Sequence, residues 1–298
     1  MILRFPKHCF LWILLTFFMV ESSPAYGQAV GTRKGRKRVD TWLVLDEEKG
    51  FARDKAEINT LIENAVFTIF QEFPDAFVLF GGTTLVLFHE SVRHSADVDL
   101  LIRGDALPTQ EQIIATLKRD LAPVARLLQL GELRFATAGR SMSEGSIFVT
   151  ITSGRMLFRV DLTRFGSAIE SEMETHAMEA PSGESVWIKS PTKELLLLQK
   201  AEAFLLRRIV KARDGYDIHV LLEKGAVLTP VLRAQLADAI RANEMDREAI
   251  LERVEMMDEE LCSLELGTVL PPEVYSPLEK GKFGALRRAL MTLYEEWL

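Results

Sequence analysis

Two neighbouring stretches carry residue types that chemistry can use: Gly81-Gly82-Thr83-Thr84, and then Arg93-His94-Ser95-Ala96-Asp97-Val98-Asp99. If Asp97 and Asp99 lie on a strand, they project from the same face, about 6.6 Å apart at roughly 3.3 Å per residue. At an effective dielectric near 20 their repulsion is roughly 2.5 kcal/mol, which a site without a compensating cation would have to bear. Magnesium suits such a pair, because one or two carboxylates plus substrate phosphates form its usual shell. The glycines fall between a strand-like run and a helix start, where backbone approaches a ligand closely and free amides face an anion. A lone Gly-Gly pair is usually a plain turn; beside paired acids it fits a phosphate cradle. Asp161, in Phe158-Arg159-Val160-Asp161-Leu162, is either a strand-end acid facing water or the third carboxylate that activates an attacking hydroxyl between two metals. Leu157, Arg159 and Asp161 share one face of that run.

The elements that must hold these residues follow from apolar periodicity. Ile58, Leu61, Ile62, Ala65, Val66, Ile69 and Phe70 recur at threes and fours, predicting an amphipathic helix over Asp54 to Phe73 that ends before Pro74. Ala76 to Phe80 is a short apolar run stopped by the two glycines, and a helix-like Thr83 to Glu90 follows. Asp97 to Ile102 reads as a strand with its carboxylates at the outer end. A long helix from about Thr109 to Leu130 precedes three β-rich runs, Glu132 to Thr137, Ser146 to Thr152 and Met156 to Thr163. The last two are joined as a hairpin through Ser153-Gly154-Arg155. Helices over a largely antiparallel sheet make an α+β pattern. After Pro191 the β signal stops, and Thr192 to Val210, Asp214 to Glu223, Thr229 to Asn243, Arg247 to Cys262 and Leu278 to Leu298 all read as helices. The expected organisation is a segment over 1–38, a core domain over 39–188 and a helical domain over 189–298, with no repeat at solenoid periods.

Several chemistries lose support. Neither G-x-G-x-x-G nor a P-loop occurs, which argues against dinucleotide oxidoreductases and P-loop NTPases, and the absence of G-x-S-x-G leaves serine hydrolysis no foothold. His89 and His94 are five apart and so do not form an i,i+4 metal pair, while His176 and His219 have no ligand-spaced companions; none is read as catalytic. Arg103-Gly104-Asp105 reads as a turn and Cys262 as core. Cys9 and Cys262 cannot make a disulfide framework or a four-thiolate zinc site.

The Gly82-Thr83 turn, the spacer, Asp97-x-Asp99 and the later strand aspartate together resemble the nucleotidyltransferase β superfamily, polymerase-β-like enzymes. Within it, Gly81-Gly82-Thr83-x-Leu85, Arg93-x-Ser95-x-Asp97-x-Asp99, Lys200 and Arg213-Asp214-x-Tyr216-Asp217 are similar to the AbiEii/AbiGii nucleotidyltransferase toxins of abortive-infection and toxin–antitoxin systems. The likeness spans roughly residues 55 to 225, and Thr83 stands where superfamily members usually carry Ser. It implies a nucleotidyltransferase-like mixed sheet flanked by helices, followed by the helical domain. It also implies that Asp97, Asp99 and Asp161 hold two Mg2+ ions, with Gly81, Gly82, Thr83 and Lys200 on the triphosphate of an NTP, ATP among the candidates. Lys200 is otherwise a surface lysine on an amphipathic helix; Asp214 is a site acid or a helix N-cap; Asp217 is a site acid or an ordinary first-turn acid. Arg93 either clamps phosphate or pairs with a nearby acid, and Ser95 would orient Asp97. Attack on the α-phosphorus would transfer a nucleotide and release pyrophosphate. By the same likeness the acceptor is either an RNA 3′ end such as tRNA, which would make the protein a growth-inhibiting toxin with a cognate antitoxin as partner, or a protein hydroxyl.

With 298 residues, 48% hydrophobic and 27% charged, the composition is that of an ordinary folded protein. Net charge is −7, and it is uneven. Seven of the 36 basic and one of the 43 acidic residues precede Val39, leaving 29 basic against 42 acidic side chains, a net −13, in the remainder. A polyanionic partner must therefore find a local cleft or the basic run Arg33-Lys34-Gly35-Arg36-Lys37-Arg38, which otherwise is a solvated arm. The opening stretch reads as a basic n-region at Arg4 and Lys7, an apolar region from Cys9 to Val20 and a small-residue cleavage site near Ala29. It is too short for a comfortable membrane span, so no stable insertion is expected. Because the chemistry needs intracellular NTP, the expectation is a cytoplasmic protein whose translation begins at Met19 or nearby. The alternatives are an exported, non-catalytic binding protein with a degenerate nucleotidyltransferase fold, or a small-molecule nucleotidyltransferase of the antibiotic-modifying kind.

Overall fold

A computed structural model describes residues 53–103, 108–139, 146–164, 170–180 and 183–297. The export-like segment and the basic arm within residues 1–38, and most of the Arg103-Gly104-Asp105 turn, lie outside the described residues.

Helix α1 (Arg53–Glu72) buries Leu61, Ile62, Ala65, Val66, Ile69 and Phe70, the stripe expected from the sequence. Strand β1 (Phe77–Phe80) leads without a linker into α2 (Gly81–Phe88), and β2 (Asp97–Ile102) follows a short loop. Helix α3 (Gln110–Leu127) opens with a capping box: the Thr109 hydroxyl accepts from Gln112 N–H while the Gln112 side chain accepts from Thr109 N–H. Strands β3 (Arg134–Gly139), β4 (Ser146–Thr152) and β5 (Met156–Arg164) complete a five-stranded sheet of order β1-β2-β5-β4-β3. The sheet is mixed: β2 and β5 run parallel, and the other neighbours are antiparallel.

On β2 and β5 the apolar Val98, Leu100, Phe158, Val160 and Leu162 join one buried cluster with α1 and with Ile113, Leu117 and Leu121 of α3. Because side chains alternate across a strand, Asp97, Asp99, Arg159 and Asp161 point to the opposite face. A second sheet, not anticipated from periodicity, pairs β6 (Met173–Glu179) with β7 (Ser185–Pro191) as an antiparallel hairpin, and β7 packs beside β1.

Helix α4 (Lys193–Leu206), capped by the Thr192 hydroxyl accepting from Leu195 N–H, is buried nearly all round and forms the axis of the helical part. Around it stand α5 (Ala212–Glu223), α6 (Pro230–Ala242), α7 (Arg247–Glu255), α8 (Glu259–Val269), α9 (Pro272–Lys280) and α10 (Gly284–Tyr294). The helix expected over Arg247 to Cys262 divides in two because the Asp258 carboxylate accepts from Leu261 N–H and starts α8 afresh. The helix expected over Leu278 to Leu298 divides likewise, at Lys282 and Phe283, both with left-handed backbone. The two buried clusters divide between Ile188 and Leu195, and Leu85 of α2 inserts into the second. Among the described residues, no helix is long and apolar enough to cross a membrane.

Candidate functional site

The parallel pairing of β2 with β5 sets Asp99 opposite Asp161 and Asp97 opposite Arg159. The three acids therefore share one sheet face, with Arg159 as a fourth member. Arg159 grips Asp161: Nη2 donates to Oδ2 at 2.6 Å and Nε lies 2.6 Å from Oδ1 without hydrogen-bond alignment, so Oδ1 stays a buried acceptor lacking a hydrogen bond. The same Nε is 3.8 Å from Asp97 Oδ1, and the guanidinium lies over the Phe148 ring, 5.0 Å from its centroid. Even so the carboxylates remain under-compensated. Burial and the neighbouring charge of Asp97 push Asp99 up to about 6, against Lys200, Arg213 and Arg159. Burial and Asp99 push Asp161 up to about 8, against Arg159. Buried carboxylates that resist ionisation together are a donor set suited to a divalent cation.

The glycine turn is shaped to this cluster. Gly81 has φ +72°, and a Cβ there would collide with Asp99 Oδ2; a Cβ on Gly82 would collide with Arg93 Nη2. Only glycine lets the start of α2 reach the acids so closely, and its first N–H groups have no partners within the helix. The Thr83 hydroxyl donates to the Asp97 carbonyl at 2.5 Å, fastening α2 to the start of β2. Ser95 Oγ approaches the same carbonyl, at 3.5 Å.

The remaining expected residues form a buried charge network beside this cluster. Arg93, 4% exposed, donates from Nε (2.5 Å) and Nη2 (3.0 Å) to Asp217, which is 0% exposed. Of the two roles open to Arg93, the structure therefore displays the pairing with an acid. Lys200 Nζ lies 2.8 Å from Asp217 and 3.6 Å from Asp214, and Arg207 Nη1 lies 2.7 Å from Asp214. Asp214 is not the helix N-cap, since Lys211 holds that position. Burial alone would raise Asp217, but Arg93 and Lys200 outweigh it and hold its carboxyl below the usual range. Lys200 is buried rather than on the surface, and its charge still reaches Asp99. Asp214 and Asp217 thus contact cations, not the strand acids.

Two residues of this region were placed by the sequence but given no role there. Arg159 sits two positions before Asp161 on the same strand face, a spacing that could have flagged it. Arg213, half-buried near the start of α5, acts electrostatically on Asp99, and it stands in the quoted Arg-Asp-x-Tyr-Asp stretch.

Comparisons with known proteins bear on this arrangement. A family model described as "Nucleotidyl transferase AbiEii toxin, Type IV TA system" matches residues 65–290. Comparison with curated protein sequences gives no match. Among solved structures, JHP933 from Helicobacter pylori superposes with a TM-score of 0.51 at 13% identity, covering 83% of this chain and 94% of that one. MenT4, a nucleotidyltransferase toxin from Mycobacterium tuberculosis, has a TM-score of 0.44 at 14% identity, covering 87% of this chain and 99% of that one. At these identities structural likeness speaks to the fold alone.

Proposed function

The chain belongs to the AbiEii nucleotidyltransferase toxin family, and from that premise we propose that it transfers a nucleotide from an NTP to an RNA 3′ hydroxyl, tRNA being the leading acceptor. The observation that carries this reading is the register of Asp99 with Asp161 beside Asp97, over a glycine turn where a Cβ at Gly81 would collide with Asp99. Asp97, Asp99 and Asp161 would hold two Mg2+ ions, which when bound neutralise charge on the attacking and leaving oxygens of an in-line displacement. The Oδ1 of Asp161, which accepts no hydrogen bond although Arg159 Nε lies 2.6 Å away, and the raised carboxyls of Asp99 and Asp161 fit such ions.

The chain's own groups divide the rest of the work. The first N–H groups of α2 receive the triphosphate at the positive end of a helix. Lys200 and Arg213 supply positive charge beside Asp99, Lys200 as a buried point charge and Arg213 as a planar donor. Asp161, oriented by Arg159, takes the proton of the acceptor hydroxyl as its oxygen attacks the α-phosphorus; a phosphodiester forms and pyrophosphate leaves. Thr83, Ser95 and the Arg93–Asp217 pair position the start of β2 and the glycine turn rather than touching substrate. Growth inhibition by capping RNA 3′ ends, relieved by a cognate antitoxin, is the biological role that follows.

The test is incubation of the full chain with each α-labelled NTP and Mg2+, in the presence of total RNA, purified tRNA or no RNA. Label appearing on RNA 3′ ends from one or a few NTPs, and abolished by Asp97→Ala, is the expected result. Label confined to small molecules, or incorporation that survives the substitution, would overturn it.

A further inference from the structure

At the other end of α2, about 12 Å along its axis from the glycine turn, three side chains distant in sequence converge. His89 follows the last residue of α2, while Glu174 and His176 alternate on β6 and so share its face. His89 Nε2 is 3.6 Å from Glu174 Oε1, and His176 Nε2 is 3.3 Å from the same oxygen. One ligand atom from each of the three lies within 4.8 Å of the others.

From this geometry we propose that His89, Glu174 and His176 form a zinc site, separate from the strand acids, that pins the β6–β7 hairpin to the C-terminal end of α2. Both Nε2 atoms are buried and lack a hydrogen bond, and the His89 side chain is only 9% exposed. Buried imidazole nitrogens left unbonded beside a carboxylate are costly unless something binds them. The backbone carbonyl of Pro191, at the end of β7, acts on the His89 ring from the hairpin side. His176 is fixed by stacking on Phe88, with ring centroids 4.1 Å apart and planes 2° from parallel.

The ligand set chooses the ion. Two imidazoles and one carboxylate suit zinc and its first-row neighbours, whereas magnesium prefers an all-oxygen shell. Bond lengths of about 2.0–2.2 Å at tetrahedral angles put neighbouring ligand atoms roughly 3.3–3.5 Å apart, against the 3.6 and 3.3 Å found here. The end of α2 adds the negative pole of its dipole, which favours a cation. Three protein ligands leave a fourth position for water, and the site's role is to fasten the hairpin. The sequence hides it because β6 brings His176 to His89 only through tertiary packing.

The experiment strips the full chain with chelator and titrates Co2+, then Zn2+, in excess Mg2+. The visible spectrum reports four-coordinate, nitrogen-ligated cobalt, and mass spectrometry of metal content gives the stoichiometry. One equivalent of Co2+ with intense visible bands, displaced by Zn2+, is expected for the parent and for Asp97→Ala. His176→Ala and His89→Ala should weaken Zn2+ binding at least about a hundredfold, the upper end of what loss of an outer-shell partner costs. Glu174→Gln, at a part-exposed position, should weaken it at least about tenfold while the helix signal of the metal-free protein melts unchanged. Absence of the bands in the parent, their persistence in His176→Ala, or their loss in Asp97→Ala would overturn the proposal.

Discussion

Replacing Asp217 by Asn leaves shape and volume nearly intact and removes one charge from a place without water. The parent network sets three cations, Arg93, Lys200 and Arg207, against two carboxylates, Asp214 and Asp217. Asp217 is 0% exposed and takes both nitrogens of the Arg93 fork together with Lys200. In Asp217→Asn those two cations face a neutral amide whose NH2 cannot accept from them, and breaking a buried pair from one side costs about 3–5 kcal/mol. The whole stability of a protein is commonly about 5–15 kcal/mol, so the shift is large. Urea unfolding followed by circular dichroism should show the midpoint move strongly, with the helical part and the sheet both affected, because Arg93 belongs to the loop before β2 and Asp217 to α5. Adding Lys200→Met removes a stranded cation, so the double variant should lose clearly less than the sum of the two singles, a coupling of about 1–3 kcal/mol. A loss below about 1 kcal/mol in the single variant, or additive costs in the double, would refute the claim that Asp217 is the anchor of a buried ion network.

Two further outcomes follow from the same geometry. Gly81→Ala must place a Cβ at φ +72° and against Asp99 Oδ2; the backbone strain costs about 1–2 kcal/mol, while displacing Asp99 by about 1 Å should lower transfer roughly a hundredfold. Parallel urea and incorporation assays separate the two effects, and an activity loss no larger than the stability loss explains would count against the glycine's role at the acids. The second concerns pH: burial, with Lys55 and Arg93 nearby, holds His94 at about 4, its Nδ1 2.7 Å from Asn59 Oδ1. The unfolded chain, with histidine near 6.5, binds the proton first, so the His94 contribution to stability is full above pH 6.5 and is lost between there and pH 4, by roughly 3 kcal/mol. His94→Gln should flatten this acid limb in a denaturation series; an unchanged slope would contradict it.

Local pattern was enough to find the strands that carry the acids. The run Asp97 to Ile102 coincides with β2, and Met156 to Thr163 falls one residue short of β5, because apolar runs bounded by turn residues specify strands with little ambiguity. The hairpin β6–β7 was not legible, since Met-Glu-Thr-His-Ala-Met-Glu offers no apolar face and is held by its pairing with Val186 and Ile188 of β7. The breaks after α7 and α9 turn on the Asp258 cap and on left-handed Lys282 and Phe283, which helical periodicity passes over. At the site, the two-residue alternation was enough to put Asp97 and Asp99 on one face. The pairing of Asp99 with Asp161 depends on a parallel contact made across α3, β3 and β4, so no local signal could supply it. Arg93 meets Asp217 across 124 positions, which is why its partner was open until the fold brought them together.

The central claim is that the strand acids act as one catalytic set, and Asp161→Asn tests it most directly. The substitution keeps size and still accepts one hydrogen bond from Arg159 while removing the charge that completes the cluster. Incorporation of α-labelled nucleotide into RNA should fall at least about a hundredfold, as expected when a general base is lost, in a protein whose unfolding midpoint is little changed. Incorporation at the parent rate by folded Asp161→Asn would contradict the account.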